Sequence, residues 1–555
     1  MTSQSSDEAG PSAGGRARWG VFGHRAFTVI LVASSVSNVG IAMFDTSMSW
    51  LMTNLNPDPM MVSAVQVATM LPMFLLTVPA GALADIVDAR RLLIGAQAAV
   101  AAISIAFAVI VSGGLADPTK LLITTFALGF GGAIAAPVWQ LVTPKLVPKD
   151  DLDSAIAVNN ASYSVSRAIG PALGGLAIAA FSIDVPFWCY CVGNLAIVAA
   201  VVWWRAPRRP KETLPAERLT NAVRTGLRYV RHNRDMDATL IRAAAFFLFG
   251  SAYWALLPLI ARNQMHNGAA IYGALMGMIG LGSILGSLGL NWLKERLGPD
   301  RLATLATIGT IAALAMYGAA KALGLALAAS LLAGASWTIM MTTLFVSAQV
   351  ALPDWVRGRG MAILLTAYFG AMTIGSALWG KVASQWGLAA TLYIAAAGAF
   401  VGMIATRSQK LQTAAALDLS PSLHWRDRVL GRAVDEEQGP VLLTIEYRID
   451  PKDRAAFLSA MQEIGLERMR DGAFAWNVFE DAGEVGRVVE TFLIQSLLEL
   501  RHLRARVTKA DQMVEAEAHK YLTEPLKVTL LVAPRRERHK RRKLSALLHP
   551  ATVEG

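Results

Sequence analysis

Residues 163–175 read Tyr-Ser-Val-Ser-Arg-Ala-Ile-Gly-Pro-Ala-Leu-Gly-Gly, and residues 368–380 read Tyr-Phe-Gly-Ala-Met-Thr-Ile-Gly-Ser-Ala-Leu-Trp-Gly. Tyr163, Ile169, Gly170, Leu173 and Gly175 recur as Tyr368, Ile374, Gly375, Leu378 and Gly380, and Pro148 upstream recurs as Pro353. Every pair is 205 residues apart (375 − 170 = 205). A looser match at an offset of 210 sets Asp85 against Glu295 and Arg91 against Arg301 (295 − 85 = 210), and the small change of offset is an ordinary loop difference. Small residues recur by chance in apolar helices, so the shared tyrosine and proline carry the alignment. The chain is built from two related halves.

The 555 residues have a mean hydropathy of +0.43 and only 16% charged residues, against roughly a quarter in soluble proteins. An ordinary water-soluble enzyme is excluded. Charges are sparse from Ala26 to Thr406 and dense from Arg407 onward, so a lipid-embedded region precedes a soluble one. A helix needs about 20 apolar residues to cross a bilayer core, and only helices or closed barrels satisfy their backbones there. The apolar runs are too long for barrel strands. The expected architecture is an all-α polytopic membrane protein with 12 transmembrane helices in two six-helix pseudo-repeats. The first set of spans falls near 27–52, 62–84, 92–113, 120–142, 155–181 and 186–205, the second near 241–261, 270–292, 302–320, 323–348, 359–382 and 388–406.

Basic loops stay in the cytoplasm. One set of loops holds Arg16, Arg18 and Arg25, Arg90 and Arg91, Lys145 and Lys149, Arg205 to Arg242, Lys294, Arg296 and Arg301, and Arg357 and Arg359. The alternate loops hold little besides Lys120, Arg262, Lys321 and Lys381. Both termini are expected in the cytoplasm, in a bacterial inner membrane. The domains read as a 1–25 tail, bundles at 26–205 and 241–407 around a 206–240 loop, a 408–439 linker, a 440–534 soluble domain and a basic 535–555 tail. In the 206–240 loop, Arg224 to Val230 has the pattern of an amphipathic helix for the anionic leaflet or a solvated linker.

Between spans two and three the chain reads Gly81-Ala-Leu-Ala-Asp85-Ile-Val-Asp88-Ala-Arg90-Arg91. It resembles the signature loop of the major facilitator superfamily, Gly-x-Leu-x-Asp-Arg-x-Gly-Arg-Arg, with Ile86 and Asp88 departing from it. The resemblance implies a transporter fold in which Gly81, Asp85, Asp88, Arg90 and Arg91, with Glu295 and Arg301 in the second half, form a latch on one side of alternating access. Arg167 to Gly175 resembles the Gly-Pro motif of the superfamily's exporters. A proline removes a backbone donor and bends a helix, so Gly170, Pro171, Gly174 and Gly175, with Gly375 and Gly380, are candidate hinge residues.

Polar groups inside spans are few, and an intramembrane ionisable residue is a functional candidate. Asp45 and Arg167 lead, with Asn38, Gln66, Gln140 and Asn159 beside them as a candidate proton and substrate site. Asn160, Asn194 and Gln349 read as helix-packing amides. Cys189 and Cys191 lack His or acidic neighbours and read as packing residues. Trp50, Trp188, Trp203, Trp204, Trp292 and Trp386 lie near span ends as interfacial anchors, and Trp139, Trp254, Trp337 and Trp379 as packing or stacking groups.

From Pro440 the periodicity changes. Strands are expected at Val441–Ile449, Phe474–Glu480, Arg487–Ile494 and Lys527–Ala533, and helices at Pro451–Arg470 and Leu497–Tyr521, the βαββαβ ferredoxin-like plan. This tail is similar to the small dimeric domains related to antibiotic-biosynthesis monooxygenases, and the whole chain resembles the enterobactin-exporter-like branch of the superfamily. His502, Trp476 and Glu490 are the tail's only candidate chemistry, so no catalytic residue, metal site or cofactor is assigned. The expected partners are a small-molecule substrate, protons, the lipid bilayer and a second copy through the tail, without nucleic acid. Proton-driven export of a siderophore- or drug-like molecule is the leading expectation. A membrane-anchored oxidoreductase and a transporter gated by ligand binding to the tail are the alternatives.

Overall fold

The computed structural model describes residues 21–142, 145–148, 151–204, 226–264, 268–412 and 438–534, with Asp418, Ser420, Ser422 and Trp425. Expectations for the 1–20 and 535–555 tails, most of the central loop and the 408–439 linker, Lys149, and the side chains of Gly81, Asp85 and Gln140 lie outside the described residues. Helices α1 (Arg25–Leu55), α2 (Pro59–Ile86), α3 (Ala89–Ser112), α4 (Pro118–Val142), α5 (Leu152–Ala180) and α6 (Val185–Trp203) form the first half. The second half is α7 (Arg234–Leu259), α8 (Ala269–Arg296), α9 (Pro299–Ala319), α10 (Leu323–Ala351), α11 (Asp354–Trp386) and α12 (Leu388–Ala405). Among the described residues, eleven helices are long and apolar enough to cross a membrane, and α5 is not one of them. It is 29 residues long, but from its start to just past its middle it carries Asp153, Asn159, Asn160 and Arg167 among several hydroxyls. Hydropathy alone therefore undercounts the helix that packs between α1 and α8.

The repeat is legible in the packing. In the first half α1 packs on α5 and α6, α2 on α4, and α3 on α4 and α6. In the second, α7 packs on α11 and α12, α8 on α10, and α9 on α10 and α12, the same scheme shifted by six helices. The halves meet chiefly where α5 packs on α8 and α2 on α11.

Small residues make these crossings. A Cβ added at Gly175 would lie 2.7 Å from both Gly273 Cα and the Ala269 carbonyl oxygen on α8. One added at Gly380 would strike Ser63 on α2 and lie 3.2 Å from the Pro59 carbonyl oxygen. Gly175 and Gly380 obey the 205 offset, while Gly273 with Ser63 and Ala269 with Pro59 obey the 210 offset (273 − 63 = 210). Within each half the same logic holds: Gly170 seats α5 on Ala42 of α1, and Gly375 seats α11 on Ser251 of α7. Gly170, Gly175, Gly375 and Gly380, read as hinges, thus sit at close helix crossings. Both contacts between halves lie toward the face opposite the one where α1 begins and α12 ends, called here the basic face.

Trp188, Trp203, Trp292 and Trp386 are exposed, but Trp50 and Trp204 are buried. Trp50 stacks on Tyr272 of α8 at 6.1 Å, so it packs between helices and does not anchor at the interface. Cys191 is buried against Ser104.

A second compact unit contains residues 228–233 and the chain from 417 onward. Its strands β1 (Val441–Arg448), β2 (Phe474–Glu480), β3 (Arg487–Ile494) and β4 (Lys527–Val532) form an antiparallel sheet of order β2-β3-β1-β4. Val441, Leu443, Ile445 and Tyr447 alternate inward along β1 and meet Phe457, Met461 and Ile464 of α13 (Arg454–Asp471). The second crossover is broken in two, α14 (Leu497–Arg506) and α15 (Lys509–His519), where one helix was expected. Thr508 starts the second piece with a reciprocal capping box to Asp511. The 226–231 turn also departs from expectation, because Tyr229 and Val230 are buried in this unit, not set on a leaflet.

Gly175→Ala forces α5 from α8 and is expected to cost about 1–3 kcal/mol, read as a lower thermal unfolding temperature of the detergent-solubilised chain. Gly289→Ala, with open space around it, leaves that temperature unchanged or raises it.

Candidate functional site

Asp45 and Arg167 are exposed side chains inside α1 and α5. Arg167 Nη1 donates to Tyr163 Oη one turn earlier at 3.2 Å, and the guanidinium carbon sits 5.9 Å from that ring. It also interacts electrostatically with Asp45 of α1 and with Tyr368 of α11. Tyr163 and Tyr368 are the two copies of one repeat position, so a cation in the first half bonded to one phenol lies in electrostatic range of its equivalent in the second. Sequence comparison used these tyrosines only as alignment markers. The position of Tyr163 four residues before Arg167, on the same helix face, was the available signal for that bond. Tyr190 of α6 and Tyr272 of α8 also lie in the field of Asp45.

The second half supplies an aromatic wall. Trp337 contacts Phe247 at 5.1 Å and Trp254 at 5.4 Å between ring centroids, and Phe247 meets Tyr368 at 4.6 Å. Trp379 is a packing residue, buried and donating to the Leu248 carbonyl at 2.8 Å. Asn38 lies two turns before Asp45 on the same face of α1. Gln66 and Asn159 are half-buried, and among the described residues no hydrogen bond ties either to Asp45 or Arg167.

The loop residues act within their own halves. Asp88 accepts from the Arg91 amide at 2.9 Å and caps α3, which accounts for an aspartate where the signature has glycine. Arg90 donates to the Val201 and Val202 carbonyls at the end of α6, at 3.2 and 2.6 Å. Arg91 ends an apolar groove of about 730 Å³ between α3 and α4, and Glu295 and Arg301 are exposed.

The tail holds a buried polar network. Arg468 lies 2.6 Å from Glu515 and 3.5 Å from Glu490, whose carboxylate accepts from Tyr447 Oη at 2.6 Å and Trp476 Nε1 at 2.9 Å. Burial and the Glu490 charge push the Tyr447 hydroxyl well above its ordinary range. His502 is on the surface, 3.4 Å from Glu499. Trp476 and Glu490 are therefore joined, with His502 engaged elsewhere.

Two six-helix halves built on one packing scheme are the architecture of a polytopic membrane transporter of the major facilitator type. The chain belongs to the transmembrane secretion effector family, whose profile matches residues 16–538. It is 22% identical over 269 residues to macrolide efflux protein A of Streptococcus pyogenes, covering 46% of this chain and 66% of that relative. It is also 22% identical over 240 residues to the staphyloferrin A transporter of Staphylococcus aureus, covering 42% and 59%. The chain thus spans less than two thirds of the length of either relative. Among solved structures, a mutant form of the nucleoside transporter NupG superposes with a TM-score of 0.61 at 11% identity, over 69% of this chain and 99% of the other. A POT family transporter with a bound thioalcohol-conjugated peptide gives 0.57 at 13%, over 70% and 96%.

Burial, reinforced by Asp511, pushes the Glu467 carboxyl up to about 9. Between the ordinary carboxylate range and that value the folded tail holds a proton the unfolded chain has lost, so its stability falls as pH rises through this window. Hydrogen exchange of tail peptides in the full chain should show faster opening at pH 8.5 than at pH 5, and Glu467→Gln should flatten that difference.

Proposed function

We propose that the protein exports a small amphipathic molecule, siderophore- or drug-like, across a bacterial inner membrane by alternating access driven by proton entry. The observation that carries this reading is the Asp45, Arg167, Tyr163 and Tyr368 cluster shared by the two halves. A proton taken up by Asp45 cancels its hold on Arg167 and frees the guanidinium for substrate or for the phenols. Inward proton movement supplies roughly 2.3 kcal/mol per charge per 100 mV. The aromatic wall around Trp337 suits a partly apolar cargo. Export draws on the likeness to an efflux protein and a siderophore transporter. The basic face is the cytoplasmic one on this reading, so the glycine crossings close the outer side and the chain faces inward.

Asp45→Asn is expected to lower energised efflux about tenfold or more while Asp45→Glu retains most of it, measured as substrate accumulation in cells with and without a protonophore. Unchanged energised efflux in Asp45→Asn would remove the proton assignment.

A second reading, gating by the tail, draws on residues 228–233, which come from the stretch joining the halves yet fold into the tail unit. Tyr229 is 1% exposed with the Arg470 guanidinium 5.3 Å from its ring, and Arg228 Nη2 is 3.5 Å from Glu499. Tyr229→Ala should shift the efflux rate about threefold or more through loss of this packing, with the bundle's thermal unfolding unchanged. An unaltered rate contradicts gating. The oxidoreductase alternative draws on no comparable observation.

A further inference from the structure

We propose that the second half carries, at its basic face, a binding site for a phosphate-bearing anion, built by α7, α9 and the turn after α12. A cavity of about 250 Å³ there is lined by Arg242, Arg301, Arg407 and Lys410, with Asp300 as its carboxylate. Asp300 is already engaged: Arg242 Nη2 lies 3.0 Å and the Leu411 amide 3.1 Å from its Oδ1, and Lys410 Nζ lies 3.9 Å from its Oδ2. The remaining cationic capacity has no counterpart. Arg242 is 8% exposed, yet its Nε is buried without a hydrogen-bond partner, and Arg301 and Arg407 have no ion-pair partner among the described residues.

The cavity also has an unsatisfied inner wall. Thr310 is 1% exposed, and its hydroxyl lacks the partner that Thr307 finds in the Ala303 carbonyl. A buried donor without an acceptor is costly, and a guanidinium fork beside two free arginines matches the oxygens of a phosphate group. Arg242 and Arg301 sit in the basic-face turns of α7 and α9, and Phe246 and Met340 line the interior. That level suits an anionic headgroup, since basic pockets between membrane helices hold such groups. Free phosphate has the same chemistry. The site lies in the second half, apart from the Asp45 and Arg167 pair in the first.

The test is native mass spectrometry of the full-length, detergent-solubilised protein titrated with phosphatidylglycerol, phosphatidylcholine and inorganic phosphate. Phosphatidylglycerol should be retained about tenfold better than phosphatidylcholine. The double variant Arg407→Gln, Lys410→Gln, exposed enough to leave folding intact, should lose that preference, and Arg301→Gln should weaken it in the same direction. Displacement of phosphatidylglycerol by millimolar phosphate assigns the site to the free anion, and its retention assigns it to the headgroup. Equal retention of both lipids without phosphate binding, or an unchanged preference in the variants, overturns the proposal.

Discussion

Hydrocarbon offers a polar group no partner, so an amide or hydroxyl buried in α1–α12 is costly unless it finds one within the protein. The helices solve this for the backbone, and most hydroxyls solve it locally. Thr46 donates to Ala42, Ser47 to Met43, Thr343 to Ile339 and Thr391 to Gly387, each to the carbonyl one turn back. Other hydroxyls join helices, as Ser35 of α1 does with Ser162 of α5 at 2.5 Å. Against this background of local satisfaction the charged residues within the helices stand out. Asp45 and Arg167 carry charges that the helix backbone does not neutralise, and each lies in the electrostatic field of the other.

The same constraint explains how much could be read from sequence. Span existence and order follow from runs of apolar residues, and each of the twelve helices begins and ends within a few residues of its expected span, apart from the earlier start of α7. The repeat was legible because backbone approach demands small residues at fixed places: Gly175 and Gly380 are small for one reason in two copies. Contacts between distant segments left no such trace. Nothing local to Asp300 announces Arg242, which is 58 residues away (300 − 242 = 58) and on another helix. The docking of Tyr229 into the tail was hidden because an apolar residue beside arginines reads equally well as a membrane-surface face. The break between α14 and α15 was written in Thr508 and Asp511, but a continuous helical period masked it.

Charge is also used to terminate structure. Asp88 caps the start of α3 and Arg90 the end of α6, so two of the charged residues in the signature loop stabilise the first half internally. In the second half Asp300 binds Arg242 of α7 and the amide of Leu411 after α12. Each bundle thereby ties its own helix ends together, a condition for moving as one piece.

The crossings between halves have a thermal consequence. Fixing a long side chain costs up to about 2 kcal/mol of rotamer entropy, whereas glycine and alanine have none to lose. At α5 on α8 the contact includes Gly175 on Gly273 and the Ala269 carbonyl, and Gly277 and Gly280 on Ala172 and Ala168, small residues with no rotamers to freeze. Parting the halves there exchanges backbone van der Waals contact for contact with lipid or water and little else. Under the alternating access proposed above, the balance between joined and parted forms depends weakly on side-chain disorder as temperature changes, and strongly on what fills the gap.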